Sequence, residues 1–263
     1  MEQRNAFRER IENDEVALGA RASSFSPALV EIYGGLGLDF VWLDFEHTGE
    51  SPWDSMLFES LTRAAEAGDI ELFVRLPAPD QALIRKVLDA GVRNLLIPRI
   101  DSAAEVRRAV EATRFVYDGE PGERGIAGGR SSAYGNADDY VRREDENVCL
   151  GVMIEKTTAV SELSEILSVP ELGFVFIGPG DLSVQLGHPG NRDHPEVRET
   201  IERIEAAGRD ASVPVGGIAH DPEEADRKID AGYRIIRLGG EFEAVQQVLK
   251  TRLDDLAELQ GGG

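Results

Sequence analysis

Cys149-Leu-Gly-Val-Met-Ile-Glu155 and Gly173-Phe-Val-Phe-Ile-Gly-Pro-Gly-Asp-Leu-Ser183 carry the topology of this chain. Each contains a short unbroken apolar run of the kind that forms a buried strand. Between them, Ala159–Leu167 spaces its apolar residues as a helix does. Strand, helix and strand make one βα unit followed by the start of the next. Each apolar run also closes on an acid, Glu155 in one and Asp181 in the other. A buried carboxylate is costly unless it is paired or metal-bound. Two of them one unit apart are spaced as oxygen ligands of a divalent cation. Salt-bridged structural acids, or for Asp181 a helix cap, are the competing readings.

The same alternation extends in both directions. Further strands are expected at Val16–Ser23, Asp39–Asp44, Glu71–Leu76, Asn94–Pro98, Pro214–Ile218 and Arg234–Leu238. Helical spacing covers Trp53–Ala67, Gln81–Ala90, Ala103–Thr113, Pro195–Ala207 and Glu223–Ala231. Ser51, Asp101-Ser102 and Asp221 read as helix starts, and Gly91, Gly208 and Gly232 as left-handed stops. Eight strands with intervening helices predict an α/β fold, a closed (β/α)8 TIM barrel that takes residues 1–263 as one domain. The runner-up is an open doubly wound sheet. Against it, the first strand runs into Gly19-Ala-Arg-Ala-Ser23 and not into Gly-x-Gly-x-x-Gly. The glycine-rich connection Phe115–Asp138 is expected to be functional or mobile and to reach the barrel mouth. Residues 243–259 read as a long helix with Val245, Val248, Leu249, Leu253 and Leu256 on one side, suited to an oligomer contact. The closing Gly261-Gly-Gly is expected to fray.

The formal net charge is −21, the reverse of the basic footprint of a nucleic-acid or anionic-membrane binder. Only four of the 28 basic residues are lysines, and the acids are spread along helices. An acid-rich, lysine-poor surface implies a halophilic protein, in which salt screens the self-repulsion. A charged N-terminus without an apolar signal core, and a single cysteine, Cys149, predict a cytoplasmic protein.

In such a barrel, chemistry collects where strands end. The second strand ends in Trp42-Leu-Asp-Phe-Glu-His47 and the third in Phe73-Val-Arg75. With Glu155 and Asp181, these bring a histidine, an arginine and several carboxylates to one rim. Asp44 is placed to orient the His47 imidazole and stabilise its charged form. Arg75, inside an apolar strand, demands an anionic partner, and Asp44 or Glu46 would serve as a structural bridge.

Trp-Leu-Asp-Phe-Glu-His, Val-Arg-Leu-Pro, Leu-Leu-Ile-Pro-Arg-Ile, Val-Met-Ile-Glu and Phe-Ile-Gly-Pro-Gly-Asp-Leu-Ser…Leu-Gly-His-Pro-Gly…His-Pro-Glu-Val follow one another in this order. The series resembles that of the HpcH/HpaI aldolases, of the 4-hydroxy-2-oxoheptanedioate aldolase type of class II pyruvate aldolase. The resemblance implies a phosphoenolpyruvate/pyruvate-binding barrel and a carbon–carbon lyase. Its reaction would be the reversible cleavage of a 4-hydroxy-2-oxo (2-oxo-3-deoxy) acid to pyruvate and an aldehyde. By position, Glu155 and Asp181 would hold Mg2+, Mn2+ or Co2+, and Arg75 would contact the 2-keto oxygen. His47 and Asp44 would form an acid–base dyad, and the N–H groups of Gly180 and Asp181 would receive the pyruvate carboxylate. The resemblance also implies a homo-oligomer, a hexamer or trimer, with the aldehyde selected by Thr48–Ser51, by the 115–138 connection or by a neighbouring subunit.

Two positions depart from the family pattern. Met153 stands where a glutamine is common, and Lys156 where a small hydroxyl residue is common. Lys156 invites a Schiff-base mechanism, but side chains alternate along a strand, so it should face away from Glu155. The rival functions are a CoA-ester lyase of the citryl or malyl type and a non-catalytic barrel that binds oxo acids. The acidic charge and the lack of a basic phosphate-binding cluster disfavour the first; the full set of acid, base, arginine and ligands disfavours the second.

Overall fold

In the computed structural model, which describes residues 4–261, each expected apolar run becomes a strand. These are β1 (Ala17–Arg21), β2 (Phe40–Asp44), β3 (Glu71–Arg75), β4 (Asn94–Ile97), β5 (Cys149–Ile154), β6 (Phe174–Ile177), β7 (Val215–Ile218) and β8 (Tyr233–Gly240). All pair in parallel with their sequence neighbours, and Ala17 pairs with Ile235 to close β1 onto β8. An open sheet is thereby excluded.

Alternation along the strands sorts the side chains into two cores. Phe40, Trp42, Phe73, Met153, Phe174, Phe176 and Ile235 fill the barrel. Their neighbours Val41, Leu43, Val74, Val152, Val175 and Ile236 pack outward against the helices. The interior is crowded with rings, and small residues make room for them: a Cβ on Gly151 would lie 2.2 Å from the Phe174 ring. The helix Ala6–Glu12 seals one end. Its Phe7 meets Phe40, Phe73 and Phe174 edge-on at 5.3–5.8 Å. Asn5 caps that helix and reaches Asn94 at 2.7 Å. The plug leaves the opposite end, where β2, β3, β5 and β6 terminate, as the open face.

Three expectations about connections are corrected. The helix after β2 starts at Ser55, capped by Asp54 and not by Ser51. Gly91 and Gly232 do take left-handed conformations, but Gly208 lies inside the helix Pro195–Asp210. A Cβ on Gly208 would meet Val215 at 2.6 Å, so this glycine serves close helix–strand approach. The 115–138 connection does not cover the mouth. It follows the helix Ala103–Glu111 and leads back into β5, so it opens at the sealed end. There it forms a two-stranded ribbon (Val116–Tyr117 with Glu120–Pro121) and a 3-10 turn, Arg130–Gly135. It is anchored by a buried ion pair, Arg124 to Glu144 at 2.9 Å.

The helix Glu241–Gly261 ends the described chain. Phe242, Val245, Val248, Leu249, Leu253 and Leu256 are about half exposed along it. Gly262 and Gly263 lie outside the described residues. Among the described residues no helix is long and apolar enough to cross a membrane.

Candidate active site

The open rim begins with the turn after β2. Trp42 and Asp44 face inward, while Phe45 faces out and lies 4.7 Å from both Phe25 and Phe58. The Asp44 carboxylate accepts the backbone N–H groups of Glu46 at 3.1 Å and His47 at 3.4 Å. Such a local side-chain-to-backbone turn fixes the loop. It folds Glu46 back toward β3 and leaves the His47 ring 62% exposed.

Arg75 satisfies both anticipated partners at once. It forks onto Asp44, with Nε 2.9 Å from Oδ1 and Nη2 2.5 Å from Oδ2. Its Nη1 lies 2.9 Å from Glu46 Oε2, an ion-pair contact whose angle does not make a hydrogen bond. Nη1 is shared between Glu46 and the Met153 sulfur, and one N–H of Nη2 stays available. Burial would raise the pKa of Asp44, but the Arg75 fork and charge outweigh it and hold the carboxyl below its usual range. Burial raises Glu46, opposed by Arg75 and His47, with Asp44 and Asp181 adding to the rise. The expected Asp44–His47 side-chain dyad is not formed. Asp44 meets His47 only through the backbone N–H, because Arg75 occupies its oxygens. The imidazole instead lies 3.6 Å from Glu46 Oε2.

Across the mouth, Glu155 is 2% exposed at the end of β5. Its Oε1 accepts the backbone N–H of Arg99 at 2.6 Å. Arg99 has a φ of 57°, a left-handed conformation uncommon for a non-glycine residue. This contact was not legible in the sequence. Glu155 Oε2 accepts no hydrogen bond among the described residues and lies over Gly178, where a Cβ would approach it to 2.7 Å. Burial first, then the charges of Glu46 and Asp181, push the Glu155 pKa up to about 7. Asp181 sits exposed in the first turn of the helix Pro179–Gln185. Its carboxylate forms no cap, hydrogen bond or ion pair among the described residues. A buried carboxylate with an open oxygen, beside a second unpaired carboxylate, is a donor set that fits a hard divalent cation.

The neighbouring positions are accounted for. Met153 Sδ lies 3.9 Å from Arg75 Nη1, so a soft acceptor stands beside the guanidinium. Lys156 Nζ bonds Asp101 and the Arg99 carbonyl, away from the Glu155 carboxylate. The Leu-Gly-His-Pro-Gly…His-Pro-Glu motif builds the loop behind Asp181. Ser183, fully buried, donates to the Gly180 carbonyl at 2.6 Å and accepts the Gly190 N–H at 3.0 Å. His188 bonds Glu196 at 2.8 Å and stacks on His194. A surface cavity of about 530 Å³, lined by Thr62, Glu66, Arg130 and Tyr134, lies away from this rim, near the sealed end.

Residues 20–247 match the family model described as HpcH/HpaI aldolase/citrate lyase. The chain belongs to this family. A hydroxypyruvate/pyruvate aldolase of Paraburkholderia phytofirmans is 35% identical over 256 residues, 96% of this chain and 97% of that protein. A 2-keto-3-deoxy-L-rhamnonate aldolase of Escherichia coli K12 is 35% identical over 253 residues, covering 95% and 92%. The crystal structure of an HpcH/HpaI family protein from Burkholderia cenocepacia superposes with a TM-score of 0.90 at 33% identity, covering 96% of this chain and 99% of that one. Like these family members, the chain is an enzyme of the carbon–carbon lyase class.

Proposed function

We propose that this enzyme carries out a divalent-metal-dependent, reversible aldol cleavage of a 4-hydroxy-2-oxo acid to pyruvate and an aldehyde. The observation that carries the reading is the open oxygen of buried Glu155, set beside Asp181 and across the mouth from the braced Arg75. The relatives named as hydroxypyruvate/pyruvate and 2-keto-3-deoxy-L-rhamnonate aldolases support it.

Glu155 and Asp181 would hold the cation, Mg2+, Mn2+ or Co2+. When bound, it supplies positive charge against the enolate that cleavage creates. Arg75, held in place on β3 by Asp44 and Glu46, would offer its remaining N–H to the enolate oxygen, so little reorganisation accompanies charge development. Gly180 and Asp181 open a helix with unpaired N–H groups, where a carboxylate is received. In cleavage the C3–C4 bond breaks and its electron pair stays with C3. The C4 hydroxyl gives up its proton as the aldehyde forms, and C3 then takes a proton back. His47, exposed at the mouth and flanked by Glu46, is the base placed to take and return that proton.

The half-exposed apolar side of Glu241–Gly261 suits a second copy of the chain, since Phe242, Val245, Leu249, Leu253 and Leu256 recur at seam-like spacing. A homo-oligomer built on this helix is part of the proposal. The decisive experiment is pyruvate release from 2-oxo-3-deoxy acids before and after EDTA, with Mn2+ or Mg2+ added back. Activity should vanish with the metal and return with it. Undiminished turnover after complete chelation would rule out the metal role.

A further inference from the structure

The Leu-Gly-His-Pro-Gly…His-Pro-Glu motif holds side chains that the proposed chemistry does not use. It links the helix Pro179–Gln185, which carries Asp181, to the helix Pro195–Asp210. The backbone of this loop is pinned at several points. Gly187 and Gly190 turn it in left-handed conformations. The His188 N–H donates to the Ser183 carbonyl at 2.7 Å, the Asn191 N–H to the His188 carbonyl at 3.0 Å and the His194 N–H to the Asn191 carbonyl at 3.3 Å. These bonds set where His188 and His194 stand, whatever their side chains contact.

The loop brings both imidazoles to one place. Their ring centroids lie 3.4 Å apart at an interplanar angle of 17°. Aromatic rings left to themselves prefer offset or edge-on contacts, with centroids about 4.5–7 Å apart, so packing gives no reason for this face-to-face pair. Glu196, in the first turn of the second helix, completes the group: one ligating atom of each residue lies within 4.8 Å of the other two. Its Oε2 accepts from His188 Nε2 at 2.8 Å, and its N–H donates to His194 Nδ1 at 3.3 Å. As an ion pair and a helix cap these contacts contribute little. The Glu196 side chain is 57% exposed, and the cap bond is longer than a good N–H bond.

Two imidazoles and a carboxylate, partly open to solvent, are the donor set of a tetrahedral Zn2+ site with one position left for water. Bonds of about 2.0–2.1 Å put tetrahedral ligand atoms about 3.3–3.5 Å apart, so the group has about an ångström to close, within reach of side-chain rotation. Glu155 and Asp181 offer oxygen alone, which suits Mg2+ or Mn2+, whereas imidazole nitrogen favours Zn2+ over Mn2+. We propose that His188, His194 and Glu196 form a second cation site, for Zn2+ or a divalent ion of similar softness, that clips the loop behind the Asp181 turn. The clip reaches the rim through two contacts. The Ser183 hydroxyl bridges the Gly180 carbonyl and the Gly190 N–H. Arg192 Nη2 lies 3.7 Å from the point that a Cβ on Gly180 would occupy. Fixing residues 188–196 therefore fixes the backbone on which that turn rests. The site is independent of the aldolase reading above.

The test titrates ZnCl2 into the metal-free Glu155→Gln protein by calorimetry, so that the all-oxygen site is disabled. One equivalent should bind, and Zn2+ should raise the melting temperature where Mg2+ does not. Adding His188→Gln should weaken Zn2+ binding at least about a hundredfold and abolish the melting shift. Adding Glu196→Gln instead, which keeps the backbone N–H groups of the helix start, should weaken it at least tenfold. Both variants should keep the far-UV circular dichroism of the parent; if one fails to fold, the other decides. Co2+ in place of Zn2+ should give the intense visible bands of a tetrahedral ion in the parent and lose them in His188→Gln. Zn2+ held equally tightly by the parent and by His188→Gln would place the ion at another histidine, such as His47 or His220, and overturn the site. The absence of a stoichiometric Zn2+ site in the parent would overturn it too.

Discussion

Arg75 grips Asp44 at two points, Nε to Oδ1 at 2.9 Å and Nη2 to Oδ2 at 2.5 Å. The fork fixes the plane of the guanidinium and so the direction of its remaining N–H. Lysine keeps the charge but has no plane to fix. Arg75→Lys should therefore lower kcat by about 10²–10³, the usual scale for a misplaced electrostatic donor. The melting temperature should change far less than in Arg75→Ala, which leaves buried Asp44 unpaired. Steady-state kinetics beside a thermal melt checks both halves.

Glu155 links metal affinity to pH and to stability. Its folded pKa of about 7 lies above the ordinary carboxylate value, so the folded chain binds this proton more tightly than the unfolded chain does. In the metal-free protein the associated stability is complete below about pH 4.5 and is lost as pH rises through about 7. The full penalty is on the order of 3 kcal/mol. Glu155→Gln removes the ionisation. The metal-free variant should melt several degrees above wild type at pH 8 and near it at pH 5, and it should bind no Mn2+ in calorimetry. Wild-type Mn2+ affinity should weaken as pH falls below 7. Asp181→Ala should also lose Mn2+ binding, with an unchanged far-UV circular dichroism spectrum.

His47 is exposed, and among the described residues its ring makes one ion-pair contact, with Glu46. It contributes little to packing, so His47→Ala should fold normally. Turnover should fall about 10²–10⁴-fold, the usual contribution of a general base. Pyruvate binding, followed by calorimetry with metal present, should stay within a few-fold of wild type. Parallel loss of binding and turnover would make His47 a substrate-positioning residue instead.

The strands were legible because each is a short apolar run that no helix could use, and Glu155 and Asp181 stood out as acids closing two of those runs. What failed was direction and pairing. The connection at Phe115–Asp138 has the composition of a lid, yet it follows a helix and must return to the start of β5, which puts it at the sealed end. Asp44 and His47 have dyad spacing, but the carboxylate is claimed by Arg75 from the neighbouring strand, a contact no local spacing reveals. The left-handed Arg99 was not visible at all.

Glu144 supports the misplaced connection. Its carboxylate is 2% exposed and lies between Arg93 at 3.2 Å and Arg124 at 2.9 Å. Removing one partner of a buried ion pair leaves charge uncompensated and costs about 3–5 kcal/mol. Glu144→Ala should lower stability by that amount in urea unfolding, and limited proteolysis should then cut first within residues 115–138. Because this segment lies away from the mouth, KM should change little at a temperature where the variant remains folded.

The surface charge makes the last prediction. With a net charge of −21, acids crowd one another even within single helices; Glu196, Glu199 and Glu202 recur every three residues along Pro195–Asp210, all exposed. Like charges at that spacing on a helix repel. At 0.1 M salt the screening length is about 10 Å, longer than the gap between such neighbours, whereas at 1 M it is about 3 Å. Raising KCl from 0.1 to 2 M should therefore raise the melting temperature by several degrees. Screening also weakens exposed ion pairs such as Arg142–Glu146, but these contribute little each, and acids outnumber bases 49 to 28. Repulsion should dominate the balance. A melting temperature that stays flat or falls with KCl would show that the acidic surface is not a salt adaptation.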